Sequence, residues 1–513
     1  HFMRQVLETE IFPNKEIPAG QPTNTTVLDL SIYPQERGMY NYETDGLDRL
    51  GRRFSAGTND DGTLNDPETR WAGITRRIDQ NDFEAANVEY IQFWMMDPFN
   101  EDYEGAPATN GQLYFNLGNI SEDIMTDGLN LYEQLLPDNE ADANAVINDT
   151  NSVWGRTTRG TPFADGFDNL AGSRLYQDAG LDGLHGGEDG GPELSYYQDF
   201  IDEISTIITA NSPEAQAELA RIQTDPSSDD YNYFRDDDYD AEGLNILERY
   251  KNFNGTEGNS PTQEQYQNQN AGGYSTAATI RPDKEDINAD NIVNPVEAYY
   301  QYAVNISESA LSPENVGSNF ISDVLETTVS TRDGRKRQIT WYQFRIPVRT
   351  PRKTRHGEIN DFRSIRFMRM FMKGFSDPMH LRFARLELVR GEWRKYLGEI
   401  DNNPEGITTD SEIDFNIGAV NIEENASKIP VNYVLPPQID REQNVNTTNL
   451  QQINEQALQL TVCGLDDGQA VSSFRTTTLD LRQYGTLKMF VHAETLADND
   501  PIENGDMNIF IRL

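Results

Sequence analysis

Residues 88–96 read VEYIQFWMM and residues 112–117 read QLYFNL. Both are dense in aromatic and β-branched residues, and Asp, Pro and Gly turn signals separate them. Together with RWAGI at 70–74 they predict three strands within 70–120. Matching strands recur at 339–348 (ITWYQFRIPV), 364–373 (SIRFMRMFMK) and 380–390 (HLRFARLELVR). In the last, Leu381, Phe383, Leu386 and Leu388 are apolar and the alternation slips at Ala384 and Arg385, which predicts a bulge. The fold expected is mainly β: a jelly-roll-like β-sandwich in two halves, 41–120 and 300–396.

Between those halves the pattern changes. Residues 121–299 predict a long, acidic, irregular and α-helical insertion, with helices at 196–208 and 213–222. Ser212 is placed to cap the second, ahead of Pro213. Residues 1–40, with Pro13, Pro22 and Pro34, predict an extended linker docked on the segment after it. A second linker is expected at 397–430. The last hundred residues echo 70–118: ALQLTV (457–462), LDLRQY leading into LKMFV (479–491), then GDMNIFIRL (505–513). This internal repeat predicts a second β-sandwich over 431–513, incomplete, its missing strands supplied by a longer polypeptide or another chain.

The 513 residues carry 42 basic and 85 acidic side chains, a net charge of −43. Such a charge repels phosphate backbones and argues against nucleic acid as a partner. It also concentrates cations. Residues 332–395 stand apart with 18 Lys or Arg against 6 Asp or Glu. Either these arginines alternate outward along strands, or they form a basic face that docks on acidic groups. Cys463 is the single cysteine, so no intrachain disulfide can form. It sits in an apolar strand, where a small core residue is expected rather than a nucleophile. No apolar run reaches the ~18 residues of a membrane helix, and no signal-peptide pattern is present.

The clearest site for chemistry is Asp286-Ile287-Asn288-Ala289-Asp290-Asn291-Ile292-Val293-Asn294-Pro295-Val296-Glu297. Asp286, Asn288, Asp290, Asn294 and Glu297 fall at loop positions 1, 3, 5, 9 and 12, and the Ile292 carbonyl is available at position 7. Structural calcium takes six to eight hard oxygens on such a spacing, and Asn291 can replace the usual glycine at position 6. Ala298 onward could open the helix the motif needs. The competing reading is an acidic turn without an ion. Weaker acidic loops lie at 236–244, with Glu248 one place off, and at 178–184. No His pair, HExxH or G-x-S-x-G pattern is present, so no enzyme is predicted. The five tryptophans read as core or sheet-face residues, with an aromatic sugar platform as the alternative.

Several long motifs carry a resemblance: RQVLETEIFPNKE (4–16), RWAGI (70–74), FEAANVEYIQFWMMDPF (83–99), GQLYFNLGNISEDI (111–124), LERYKNFNGTEGNSP (247–261), and Ile365 through Trp393 to Tyr396. They resemble the SprA/Sov family of outer-membrane translocons of type IX secretion and gliding motility. The resemblance implies a non-catalytic, soluble middle segment of a many-stranded barrel protein. It implies an outer-membrane location, the segment on the cell surface or, alternatively, on the periplasmic side. The partners implied are other secretion components, secreted cargo and the membrane-embedded barrel of the same protein. A carbohydrate-binding surface module built of jelly rolls is the alternative.

Overall fold

The computed structural model describes residues 4–17, 20–39, 41–48, 50–99, 109–123, 130, 197–228, 234–235, 237–253, 286–331, 334–396, 413–428, 431–444, 451–466, 469–478, 480–495 and 502–512. Ten strands build two antiparallel sheets. They are β1 (Val27–Ile32), β2 (Trp71–Arg77), β3 (Val88–Met96), β4 (Gly111–Asn119), β5 (Ala298–Ile306), β6 (Ile321–Ser330), β7 (Lys336–Pro347), β8 (Thr354–His356), β9 (Phe367–Lys373) and β10 (Met379–Arg390). One sheet has the order β8-β5-β4-β9-β2, the other β1-β10-β3-β7-β6. With the outer strands β8 and β6 set aside, successive strands cross between the sheets except for β4 and β5, which pair side by side, as in a jelly roll.

The core follows from the alternation along each strand. Ile91, Phe93 and Met95 of β3 face Leu113, Phe115 and Leu117 of β4, all fully buried. Phe93 lies at the centre: its ring centroid is 4.9 Å from Phe344, 5.3 Å from Phe115 and 5.6 Å from Phe383. The opposite face of β3 is apolar as well, because Trp94 and Met96 pack with Trp341, Val6, Ile11 and Phe12 in a second cluster. VEYIQFWMM is therefore buried on both faces, which explains its nearly unbroken apolar character. Trp341 donates its indole N–H to Glu10 at 2.9 Å, so the polar atom of that buried ring is satisfied.

The slip at Ala384 and Arg385 is a bulge. The register shifts between Ala384 and Glu387, and Arg385 adopts φ 54°. Residues 1–40 are more than the linker expected of them. Residues 8–11 form a helical turn, and Val27–Ile32 is an edge strand bonded to β10. Asp29 and Ser31 fall in the alternation of that strand, and Asp29 pairs with Arg382. Residues 397–430 also hold a strand where a linker was expected. Asp414–Asn421 (β11) pairs with Gln456–Cys463 (β12), burying Phe415 and Ile417. Among the described residues of 480–512 no strand forms, and Leu487, Met489, Phe490, Val491, Ile509 and Phe510 are exposed. Cys463 is exposed rather than in a core, because it ends a strand of a two-stranded sheet.

Candidate metal centre at the neck of the insertion

Strands β4 and β5 are direct neighbours, in register from Gly111 with Ile306 to Asn119 with Ala298. Everything between 119 and 298 therefore leaves and re-enters the sandwich through two adjacent strand ends. Two helices of that insertion, α1 (Gln198–Ile207) and α2 (Pro213–Thr224), fold back onto residues 39–65. Phe200, Ile204 and Ile222 are fully buried, and Tyr42 stacks on Tyr197 at 4.9 Å. Ser212 caps α2 by accepting from the Ala215 N–H at 3.1 Å, with Pro213 in the first turn.

The 286–297 loop sits at this neck. Asp286 is 2 % exposed and accepts the N–H groups of Asp290 (3.1 Å) and Asn291 (3.0 Å). Asn288 and Asp290 accept the N–H groups two residues on, at 2.8 and 2.9 Å. These successive side-chain turns require left-handed backbone at Ala289 (φ 57°) and Asn291 (φ 63°), the latter at the expected glycine position. Three carboxylates, Glu122, Asp286 and Asp290, bring oxygens within 4.8 Å of one another. Glu122, 1 % exposed, comes from the other side of the neck and was missed in the sequence. It follows β4 directly, but 163 intervening positions hid its proximity to Asp286. Burial, with the nearby Asp286 and Asp290 charges, pushes the Glu122 carboxyl up to about 7, against the Asn288 and Asn294 N–H bonds that favour the anion.

Two of the other predicted ligands, Asn288 and Asn294, bond the clasp carboxylate Glu122, and Glu297 does not join it. The Asn288 amide donates to Glu122 at 3.3 Å. Asn294 donates its backbone N–H to Glu122 (3.2 Å) and its side-chain amide to the Ile120 carbonyl (3.1 Å). Glu297 turns away, accepting from the Ser121 N–H at 3.1 Å and pairing with Arg369 at 3.3 Å. No helix follows: Ala298 opens β5, because the alternating Ala298, Tyr300, Tyr302 and Val304 belong to the sandwich core. The helix–loop–helix expectation is overturned. What remains is a clasp of two buried carboxylates and one half-exposed one, hard oxygen donors suited to a divalent cation. Arg366, 3.4 Å from Asp290, supplies part of the countercharge.

The weaker loops fare differently. Residues 237–242 are helical, Asp240 pairs with Arg249 at 2.6 Å, and Glu248 closes a capping box on Asn245. The 178–184 loop lies outside the described residues. Among the described histidines, His356 stacks on Tyr299, His380 bonds Ser31 at 2.7 Å, and His492 bonds Glu494 at 2.9 Å. No described helix is long and apolar enough to cross a membrane.

The described arginines of the basic stretch 332–395 divide between strands, such as Arg369, Arg382 and Arg385, and connecting segments, such as Arg363 and Arg366. Several reach acidic groups of other segments: Arg382 to Asp29, Arg385 to Glu8, Arg363 to Glu84, Arg366 to Asp290 and Arg369 to Glu297.

Taken together, these features define a β-sandwich protein with a large clasped insertion. The chain belongs to the SprA_N family, described as motility related/secretion protein, which matches residues 199–513, from the first insertion helix through the later sandwich strands to the end. No curated protein matches it.

Proposed function

We propose that this chain is a structural and interaction segment of the type IX secretion outer-membrane translocon, serving protein secretion and gliding motility without catalysing a reaction. The observation that carries the reading is the family match over 199–513. The architecture supports it, since the sandwich interior is filled by aromatic and aliphatic side chains and the described histidines are engaged structurally. In this reading the segment lies on the cell-surface side of the outer membrane. Its partners are the membrane-embedded barrel of the same protein, other secretion components and cargo. Calcium at Glu122, Asp286 and Asp290 serves as a structural staple for the insertion. The test is in-frame removal of this segment from the gene in its own cell. Loss of secreted cargo with the barrel still inserted is expected; undiminished secretion would overturn the reading.

A further inference from the structure

The outer face of the β8-β5-β4-β9-β2 sheet carries a group of side chains that the sandwich core does not use. Register places Trp71, Lys373, Gln112 and Asn305 in one row across four strands, and Gly73, Phe371, Tyr114 and Ala303 in the next row on the same face. At a strand spacing of ~4.8 Å the row spans roughly 14 Å. Trp71 is 60 % exposed, an unusual state for the largest apolar side chain. It is nonetheless held in place. Its ring meets Phe371 edge-on at 6.0 Å, and Phe371 stacks on Tyr114 at 4.7 Å. Gly73 makes room for this brace, since a Cβ there would collide with the Phe371 side chain and the Met370 carbonyl.

The polar groups around the indole are also ordered. The Tyr114 hydroxyl donates to the Gln112 carbonyl oxygen, and the Gln112 amide donates to Asn305 at 2.9 Å. Lys373, directly between Trp71 and Gln112 in the row, is exposed and makes no ion pair among the described residues. An exposed indole braced by Phe371, a line of amides and an exposed lysine on one sheet face match an elongated ligand with apolar ring faces, many hydroxyls and a negative charge.

We infer that this face binds a carboxylate-bearing polysaccharide, with a sugar ring stacked on Trp71, its carboxylate on Lys373, and hydroxyls on Gln112 and Asn305. The exposed indole and the row of amides across neighbouring strands favour a glycan, whose ring faces stack on an aromatic side chain and whose hydroxyls take amide hydrogen bonds. This inference does not rest on the secretion reading.

The experiment presents the full chain to an array of uronate-bearing, sialate-bearing and neutral glycans, with poly-glutamate peptides on the same surface. Salt-sensitive binding to a carboxylate-bearing class is expected. Trp71→Ala should weaken it about three- to tenfold, the range of a single aromatic contact. Lys373→Gln should remove the preference over the matched neutral glycan. Trp71 is exposed, so an unchanged melting temperature confirms that its variant folds. Binding to no glycan, equal binding by Trp71→Ala, or a preference for poly-glutamate would each overturn the inference.

Discussion

Arg382 grips Asp29 through Nε and Nη2 of its guanidinium, at 2.7 and 2.9 Å, and the two residues face each other across the β1–β10 ladder. Arg382 is 3 % exposed and also donates to the Arg4 carbonyl at 3.0 Å. One buried cation thus secures both the edge strand and the N-terminal segment. Asp29→Ala leaves that cation without its carboxylate. We expect a loss of about 2 kcal/mol, below the full cost of breaking a buried pair because Asp29 is partly exposed. Denaturant midpoints of the sandwich transition measure it, and a change under a few tenths of a kcal/mol would contradict the assignment.

The neck clasp predicts a calcium response. Calcium added after chelator treatment should raise the melting temperature by a few degrees, since an ion that binds only the folded state stabilises it by mass action. Asp286→Asn should abolish the rise while keeping the loop's N–H bonds partly satisfied. An equal rise in wild type and variant would place the effect elsewhere.

Asp97 follows β3 directly and accepts the Phe99 N–H at 2.9 Å. Burial, with a smaller repulsion from Glu308, pushes its carboxyl from 3.8 up to about 6. The folded chain therefore holds this proton more tightly than the unfolded chain does. The Asp97 contribution is full below about pH 4 and is lost as pH rises through about 6. Comparison of melting temperatures between pH 4 and 7 should show Asp97→Asn losing less stability across that window than wild type. Parallel profiles would rule this out.

Tyr90 connects the jelly roll to the second β unit. Its hydroxyl donates to the Ile417 carbonyl at 2.9 Å, both groups buried, while Arg345 lies 4.5 Å over its ring. Tyr90→Phe leaves that carbonyl unsatisfied and should cost about 1 kcal/mol. Limited proteolysis should then cleave faster within 413–466. An unchanged cleavage rate would show that the hydroxyl does not hold the unit.

Strands dense in large apolar and aromatic residues were legible in the sequence: β3, β4, β7, β9 and β10, including the bulge at Ala384 and Arg385. A strand with fewer large apolar residues and a charge at its centre was not. Asp29 made β1 look like linker because Arg382 lies 353 positions away. The candidate site was half legible. Local spacing located Asp286 and Asp290, whose turns are set by neighbouring residues. Glu122 and the diversion of Glu297 to Arg369 depend on strand pairing, which no local pattern announces. Ala298 read as a helix start because its apolar neighbours suit either period over a few residues.

The adjacent exits of the insertion also fix how the molecule bears load. A pull that separates residues 120 and 297 acts on the last rung of the β4–β5 ladder, Asn119 with Ala298, and opens it like a zipper, one rung at a time. Before that rung is reached, the tension must part the Glu122 N–H from the Asn294 carbonyl and the Asn294 amide from Ile120. The clasp is thus the first mechanical fuse of the insertion, and an ion across Glu122 and Asp286 would set the force at which it yields.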